Sequence, residues 1–411
     1  MQRLAVLSMH TSPLAQPGLG DGGGMNVYVR ELSAALARAG VECDVYTRAW
    51  SPSLRPTVHV EPGLRVHHVA AGPLEAVDKA DLPALVDAFA DGVLTHLAGD
   101  DAGRGRPQAI HANYWLSGVA GHRLKHELDL PLVSTFHTLA RVKAEAAGDE
   151  SHQREQAEST VMGCSDAVLA SCSVEAHQIA ELYGLDRTRI EIVAPGVERA
   201  FFAPGYRPQA RRALGLPADR PMLLFVGRIQ PLKGLDVAVR TLDALSDEYP
   251  GAFLVVVGGP SGPQGQAEEA RVRDLVRAAG LDDRVRFCSP QPHELLSTFY
   301  RAADVCLVPS RSESFGLVAL EAAACGTPVV AAAVGGLRTL VDHGYSGFLV
   351  EGRQPETFAA YAAELLANPM LAAEMSANAA ERAGRYTWRQ AASSLRDLYG
   401  ELTERSLVEC R

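Results

Sequence analysis

Two cations, Arg228 and Lys233, stand close together in the segment "FVGRIQPLKGLD". Arg228 follows an apolar run typical of a buried strand, and Lys233 precedes a pattern typical of a helix. Unpaired N–H groups and the helix dipole favour an anion at a helix start. Together these groups are able to neutralise a diphosphate. The alternative is a solvated pair of surface charges.

The second chemically suggestive segment is the glycine-rich loop in "HTSPLAQPGLGDGGGMNVYVREL". Glycine is retained where φ must be positive or where another group approaches the backbone closely. Bare N–H groups before the following helix suit a phosphate or a sugar oxygen. The spacing is not GxGxxG, which disfavours a dinucleotide. A flexible turn between strand and helix is the alternative.

Two carboxylates, Glu313 and Glu321, lie in "SRSESFGLVALEAAACGTPVV", one before a predicted helix and one on it. A pair of carboxylates directed at one site accepts hydrogen bonds from several hydroxyls, such as those of a ribose and a hexose. An ordinary amphipathic helix with one outward glutamate is the alternative. The pair alone is weak evidence of a site.

Short apolar runs that alternate with helical patterns must position these residues. Such runs are typical of parallel sheets covered on both faces. The pattern breaks between residues 196 and 221, and a second series then begins. The sequence therefore predicts an α/β fold with two Rossmann-like doubly wound parallel-sheet domains facing across a cleft. We assign residues 1–196 and 197–389 to them and expect a helix at 390–411 to pack on the first.

Composition narrows the classes of partner and compartment. A chain of 411 residues is long enough for two domains. The net charge of −10 argues against nucleic acid or an anionic membrane as the main partner. Seven cysteines without a CxxC pair predict a reducing, cytoplasmic setting rather than a disulfide framework. We expect no leader peptide and no membrane span.

Three features together carry a resemblance to a known family. The segments "GRIQPLKG" and "ESFGLVALEAAACGTPVV", with the glycine-rich loop, resemble retaining glycosyltransferases of family GT4, which have the GT-B fold. More narrowly, "GGMNVY" in its loop, "YWLSG" and "HTLARVK" resemble the members that glycosylate D-inositol 3-phosphate at the start of mycothiol biosynthesis. The resemblance covers nearly the whole chain.

The resemblance implies that UDP-N-acetylglucosamine binds mainly on the second domain. Arg228 and Lys233 would hold the diphosphate, with Gln291 near the uracil. Glu321 would bind the ribose and Glu313 the sugar hydroxyls. The first domain would add donor contacts from Gln16, Pro17 and Gly24.

The resemblance also implies an acceptor site for 1D-myo-inositol 3-phosphate on the first domain. The inositol ring would lie against His10 and the loop residues Asp21, Gly22, Gly23, Gly24, Met25 and Asn26. The phosphate would be held by Lys79, Tyr114, Thr138 and Arg154. This set makes chemical sense, because the cations supply charge and the hydroxyls supply directed donors. Taken singly, Arg154 is more typical of a solvated helix residue.

The implied chemistry is transfer with retention. A double displacement needs a carboxylate near the anomeric carbon, for which Glu313 is the obvious candidate. We favour front-face substitution, with Arg228 and Lys233 stabilising the leaving diphosphate. His137 would face the sugar through its ring or its backbone oxygen, or else be satisfied inside its domain.

The resemblance finally implies a magnesium ion in a structural role and a homodimer. The ion would lie near Tyr300, Arg301, Ala303 and Thr327, and the chemistry would require no cofactor. Three alternatives stay open: a GT4 enzyme with a different, phosphorylated small acceptor, a nucleotide-sugar binder that transfers nothing, and a nucleotide-sugar epimerase.

Overall fold

The computed structural model describes residues 2–18, 20, 22–100, 105–147 and 152–410. It divides into two compact units. The first comprises Met1–Ala15, Met25–Pro195 and Trp388–Arg411, and the second comprises Gln16–Gly24 and Gly196–Thr387. The division expected from the sequence placed residues 16–24 in the first domain, whereas the contacts group them with the second.

The first unit is built on a largely parallel sheet. Within the described ranges it has eight strands in the order β3-β4-β2-β1-β5-β6-β7-β8. Only the β3–β4 pair in it is antiparallel. The strands are β1 (Arg3–Leu7), β2 (Glu42–Arg48), β3 (Thr57–Glu61), β4 (Leu64–Val69), β5 (Ala109–Asn113), β6 (Leu132–Thr135), β7 (Ala167–Ala170) and β8 (Ile190–Ile192).

Helices connect these strands in the usual alternation of an α/β unit. Single 3₁₀ turns occur at Leu82–Leu85 and Arg187–Arg189. The helices are α1 (Gly24–Arg38), α2 (Val86–Asp100), α3 (Trp115–Leu128), α4 (Ala140–Ala147), α5 (His152–Cys164), α6 (Ser173–Tyr183) and, at the end of the chain, α15 (Trp388–Glu404).

The second unit repeats the pattern around a fully parallel sheet. Its six strands within the described residues run in the order β11-β10-β9-β12-β13-β14. These are β9 (Met222–Val226), β10 (Phe253–Val257), β11 (Val285–Cys288), β12 (Val305–Val308), β13 (Val329–Ala332) and β14 (Phe348–Val350). The helices are α7 (Arg207–Ala213), α8 (Leu235–Ala244), α9 (Gly265–Ala278), α10 (His293–Ala302), α11 (Leu317–Ala324), α12 (Leu337–Leu340), α13 (Pro355–Ala367) and α14 (Pro369–Ala383), with a 3₁₀ turn at Pro231–Lys233.

The composition of the strands explains both sheets. Central strands such as β1, β10 and β12 are buried along their whole length. Because helices cover both faces of a parallel sheet, such strands have no polar side to present to water. The predicted α/β class with two Rossmann-like parallel sheets is confirmed.

The last helix, α15, completes the first unit. Its buried residues, among them Trp388, Leu395 and Tyr399, recur at the three- and four-residue spacing of one helix face. Tyr399 Oη lies 2.9 Å from His111 Nδ1, where β5 crosses the core. The Trp388 ring meets Tyr28 of α1 edge to face at 5.7 Å.

One cysteine pair corrects the sequence-based expectation. Cys164, the last residue of α5, is disulfide-bonded to Cys410 in the tail after α15. The two are 246 residues apart in the sequence, so spacing gave no sign of the pairing. Within the described ranges, no helix combines the length and apolar character that crossing a bilayer requires.

Candidate active site

Two strained residues mark the strand ends of the first unit. Tyr114 directly follows β5 with φ at 76°, and His137 lies just beyond β6 with φ at 63°. Asp129, the third non-glycine residue with positive φ in the described chain, is an ordinary helix C-cap. Such strain costs about 1–3 kcal/mol per residue and is concentrated at functional sites. The carboxyl ends of β5 and β6 are therefore the candidate acceptor region.

Tyr114 is the centre of that region. The His10 ring lies 4.3 Å from the Tyr114 ring, centroid to centroid. Lys79 Nζ and Arg154 Cζ each lie 5.0 Å from the centre of the same ring. An Nη2 hydrogen of Arg154 is donated to Thr138 Oγ1 at 3.0 Å. All four residues expected to hold the acceptor phosphate thus meet, together with His10.

Arg154 is a buried, fixed residue and not a solvated one. Its Nε donates to Glu158 Oε1 at 2.8 Å, and its Nη2 also donates to the Thr138 carbonyl at 2.7 Å. Glu158 in turn accepts from the Ala140 backbone N–H at 2.9 Å. Burial raises the pKa of Glu158, although the nearby Arg154 opposes this. The guanidinium is therefore held in place, with its Nη2 edge directed at the strand ends.

The glycine-rich loop divides between the two units. Asn26 is buried in the first, where its Nδ2 donates to Thr11 Oγ1 at 2.7 Å. Met25 packs against the core of the same unit. Gly22, Gly23 and Gly24 group with the second unit, and Gly24 opens α1. Asp21 lies outside the described residues.

The glycines of this loop allow close approach to Arg228. A Cβ atom on Gly23 would lie 3.2 Å from Arg228 Nε. Nearer the start of the loop, Gln16 Nε2 donates to the Pro290 carbonyl at 3.0 Å, and Ser261 Oγ donates to the Gly20 carbonyl at 2.5 Å. The loop therefore packs against the segments that follow β9, β10 and β11 in the second unit.

Lys233 and Glu313 form an ion pair. Lys233 ends the 3₁₀ turn before α8, and its Nζ lies 2.7 Å from Glu313 Oε2. Ser310 Oγ donates to the same oxygen at 3.3 Å. The expected diphosphate cation and the expected sugar-binding carboxylate are thus adjacent. A diphosphate here would compete with Glu313 for the ammonium group.

Glu321, on α11, is buried with both oxygens engaged. His293 Nε2 lies 2.7 Å from Oε1, and Tyr300 Oη donates to Oε2 at 2.8 Å. A carboxylate oxygen has a further lone pair, so both oxygens of Glu321 can still accept a hydrogen bond from a hydroxyl group. Burial and the nearby Glu321 raise the pKa of Tyr300, which therefore stays a proton donor.

The sequence analysis missed His293. It is the first residue of α10, shortly after Gln291, in the segment "SPQPHELL". The sequence did offer one signal: a histidine at the start of a predicted helix that follows a strand, which is a position typical of site residues in such folds. Gln291 is half-buried and donates through Nε2 to the Ser289 carbonyl at 2.9 Å. Pro17 is also half-buried.

His137 is held inside the first unit. Its Nε2 lies 2.9 Å from Asn113 Oδ1, and its ring meets Tyr28 edge to face at 4.8 Å. Burial, with a smaller effect from His111, lowers the pKa of His137 to about 3. The imidazole is neutral near pH 7 and a weak base. This environment favours the satisfied-histidine alternative for the ring, and a sugar contact of His137 stays a prediction.

The residues expected near magnesium surround the carboxyl end of α10. Thr327 Oγ1 donates to the Tyr300 carbonyl at 2.6 Å, and the Ala303 N–H donates to the same oxygen at 3.1 Å. Arg301 Nε is bonded to the Ala203 carbonyl at 2.8 Å. Helix-end carbonyls attract cations, but this set contains no carboxylate, which magnesium sites usually use. The donor set does not fit an ordinary magnesium site, and the ion stays a prediction.

Comparisons with known proteins identify the family. The family model "Glycosyl transferase 4-like domain" matches residues 23–196, and "Glycosyl transferases group 1" matches residues 206–382. A D-inositol 3-phosphate glycosyltransferase of Thermobispora bispora is 46% identical, covering 98% of this chain and 96% of its own. The protein of the same name from Xylanimonas cellulosilytica is 48% identical, and the match covers 98% of this chain and 97% of the relative.

Solved structures show the same fold over nearly the full length. A sucrose-phosphate synthase from Thermosynechococcus elongatus is similar with a TM-score of 0.89 and 33% identity, covering 98% of this chain and 100% of its own. Anabaena HepE, in complex with UDP-glucose, has a TM-score of 0.77 at 20% identity, with the same coverage. The fold is GT-B. The chain is therefore a glycosyltransferase and belongs to the D-inositol 3-phosphate glycosyltransferase family.

Proposed function

We propose that this enzyme transfers N-acetylglucosamine from UDP-N-acetylglucosamine to 1D-myo-inositol 3-phosphate with retention, the first step of mycothiol biosynthesis. One observation carries the acceptor: two cations, Lys79 and Arg154, converge on Tyr114 in a chain of net charge −10. With the Thr138 hydroxyl, they supply the charge and the directed donors that a phosphate dianion needs. The names of the relatives support the same acceptor.

The donor would be held by the second unit. Arg228, Lys233 and the start of α8 would neutralise the departing diphosphate, which is electrostatic catalysis. Glu313 is already paired with Lys233, which suits hydroxyl binding better than nucleophilic attack. We therefore retain front-face substitution: the acceptor hydroxyl bonds to C1, the C1–O bond to UDP breaks, and the diphosphate takes the hydroxyl proton. No step depends on a metal.

A substrate panel tests this proposal. UDP-N-acetylglucosamine and UDP-glucose would each be combined with inositol 3-phosphate, free inositol or fructose 6-phosphate, and UDP release would be measured. We expect fast release only with UDP-N-acetylglucosamine and inositol 3-phosphate, and an α-linked product by NMR. Equal turnover of free inositol would overturn the phosphate-site assignment, and a β-linked product would overturn retention.

A second candidate is a GT4 enzyme that uses another phosphorylated acceptor. The similarity to a protein named sucrose-phosphate synthase favours it, since that name implies a sugar phosphate. Fast turnover of fructose 6-phosphate with UDP-glucose in the same panel would establish this activity in place of the first. A cytoplasmic homodimer remains our expectation for either activity, to be tested by fractionation and light scattering.

A further inference from the structure

Four metal-binding side chains meet in the first unit, outside the site described above. They are His122, His126, Cys164 and Cys410, and their donor atoms all lie within 4.8 Å of one another. Two thiolates and two imidazoles are a donor set that selects zinc-type cations. None of the four takes part in the proposed glycosyl transfer.

The helices place the donors with suitable geometry. His122 and His126 are one turn apart on α3 and therefore share one face of it, with ring centroids 5.1 Å apart. Cys410 Sγ lies 3.1 Å from His126 Nε2 and 3.4 Å from His122 Nε2. A tetrahedral zinc places a sulfur and a nitrogen ligand about 3.5 Å apart. The observed separations differ from this by a few tenths of an ångström.

A buried ion pair holds the tail in this position independently of the sulfur atoms. Lys125 Nζ lies 2.8 Å from Asp166 Oδ2 and donates to the carbonyls of Cys164 and Val408 at 2.8 and 3.0 Å. The Val408 N–H donates to Asp166 Oδ1 at 2.7 Å. Cys164 is therefore anchored through its own carbonyl, and Cys410 through the backbone of Val408, two residues before it.

We propose that His122, His126, Cys164 and Cys410 bind a zinc-type divalent cation when the two cysteines are reduced. A tetrahedral zinc keeps its two sulfur ligands about 3.8 Å apart. The Cys164–Cys410 disulfide and the metal are therefore alternative states of one site. Two thiolates neutralise the charge of the ion, and four protein ligands make the site closed and structural.

The site would brace the helices that present the acceptor region. Helices α3 and α5 pack closely, since a Cβ on Gly118 would lie 2.8 Å from Val161 Cγ1. Helix α3 starts directly after Tyr114, and α5 carries Arg154 in its first turns. Bound zinc would join the far ends of these two helices to the tail, so we expect it to raise the melting temperature of the reduced protein.

The test uses the full-length chain without an affinity tag. A phosphine would first reduce the disulfide: it takes an oxygen from water, two electrons enter the S–S bond, and two thiols form. Zinc then displaces the two thiol protons. After anaerobic removal of the phosphine and of unbound Zn²⁺, metal content would be measured by mass spectrometry. Co²⁺ would serve as a spectroscopic probe in a parallel sample.

We expect about one zinc per reduced chain, and the visible spectrum of tetrahedral, thiolate-ligated cobalt. The Cys410→Ala and His126→Ala variants should each lack the cobalt spectrum, and each should lose its zinc during gel filtration. Cys288→Ser and His152→Ala, which change a half-buried cysteine and an exposed histidine elsewhere, should retain about one zinc. Circular dichroism would verify that the variants are folded.

The proposal would be overturned by reduced wild-type protein that binds no zinc, or by zinc content that is unchanged in both Cys410→Ala and His126→Ala. An octahedral cobalt spectrum in the wild type would do the same. His126 is exposed, so its variant should remain folded even where a cysteine variant does not.

Discussion

Tyr114 shows how a single side chain organises the candidate acceptor site. It combines a strained backbone with a ring that two cations and His10 surround. The strain is maintained because β5 ends and α3 begins at this residue. Its ring contacts the charged groups of Lys79 and Arg154. Substitutions of these two residues should therefore change the kinetic parameters for the acceptor.

Lys79→Ala should reduce kcat/KM for inositol 3-phosphate about 10- to 100-fold, because a hydrogen bond to a charged group contributes about 1.5–3 kcal/mol. Lys79 is exposed, so the fold should be unaffected. The KM for the UDP-sugar should change little. Steady-state kinetics with each substrate varied would measure both, with Arg396→Ala, an exposed cation on α15, as control. An unchanged acceptor kcat/KM would remove Lys79 from the site.

His293→Ala should weaken UDP binding about tenfold, because Glu321 loses one of its two hydrogen-bond partners and its carboxylate is no longer oriented. His293→Gln keeps an N–H donor and should recover part of the affinity. Isothermal titration calorimetry with UDP would measure both variants. Equal affinities in wild type and His293→Ala would show that the histidine has no positioning role.

The difference between Arg154 and His293 shows what sequence reasoning reached in the site. Candidate site residues that directly follow apolar strands could be predicted from the sequence, because ligands of parallel sheets bind at the carboxyl ends of the strands. The burial of Arg154 depends on which face of α5 packs against the core. The four-residue spacing between Arg154 and Glu158 does not predict which face that is. His293 depends on a partner on another helix, Glu321, and such pairing becomes visible only in three dimensions.

The start of α8 shows how one element positions Lys233. Gly234 has φ at 72°, and a Cβ there would lie 2.3 Å from the Pro309 carbonyl. The turn that carries Lys233 can therefore approach the end of β12 only with glycine at this position. This packing brings Lys233 within reach of Glu313.

Gly234→Ala should destabilise the protein by more than Gly280→Ala and should also weaken UDP binding. Both positions have positive φ, for which alanine costs about 1–2 kcal/mol, but nothing lies within 4 Å of a Cβ on Gly280. The difference between the two variants therefore reports the clash of the added methyl group with the Pro309 carbonyl and the Arg353 side chain. Urea unfolding and UDP titration would measure the two effects. Equal unfolding free energies would show that the turn relaxes without cost.

Strands with uninterrupted apolar residues were predicted, and strands with buried charges were not. β4 reads "LRVHHV", which resembles an exposed segment, yet it is buried along its whole length. Arg65 and His67 of β4 lie 2.7 and 2.9 Å from Asp44 on β2, which Arg3 of β1 also binds. Against the effect of burial, these partners lower the pKa of Asp44. A charge cluster across three strands compensates the burial, and no local pattern reveals it.

The stability of the whole first unit should depend on two histidines, of which His111 is buried and His137 is half-buried. Burial lowers the pKa of His111 and of His137 to about 3, compared with 6.5 for an ordinary histidine. Between these values the unfolded chain binds protons that the folded chain does not. Unfolding free energy should therefore fall as the pH falls below 6.5, by about 1.4 kcal/mol per histidine at pH 5.5.

His111→Gln should remove its share of this pH dependence. The decrease in unfolding free energy between neutral pH and pH 5.5 should be smaller by about 1.4 kcal/mol than in the wild type. All three tryptophans lie in the first unit, so their fluorescence during urea unfolding reports on that unit. His152→Gln, which changes an exposed histidine on α5, should follow the wild type. The prediction would be contradicted if the unfolding free energy of His111→Gln depended on pH as strongly as that of the wild type.

The position of α15 also sets the order of events during synthesis. The ribosome completes the second unit before it makes Tyr399, the partner of His111 in the first unit. A nascent chain released after Thr387 would hold a finished carboxyl-terminal half and an amino-terminal half with an open hydrophobic face. The native state of the amino-terminal half is therefore attainable only after the residues of α15 have been synthesised, and a truncation before α15 damages the part of the protein that is made first.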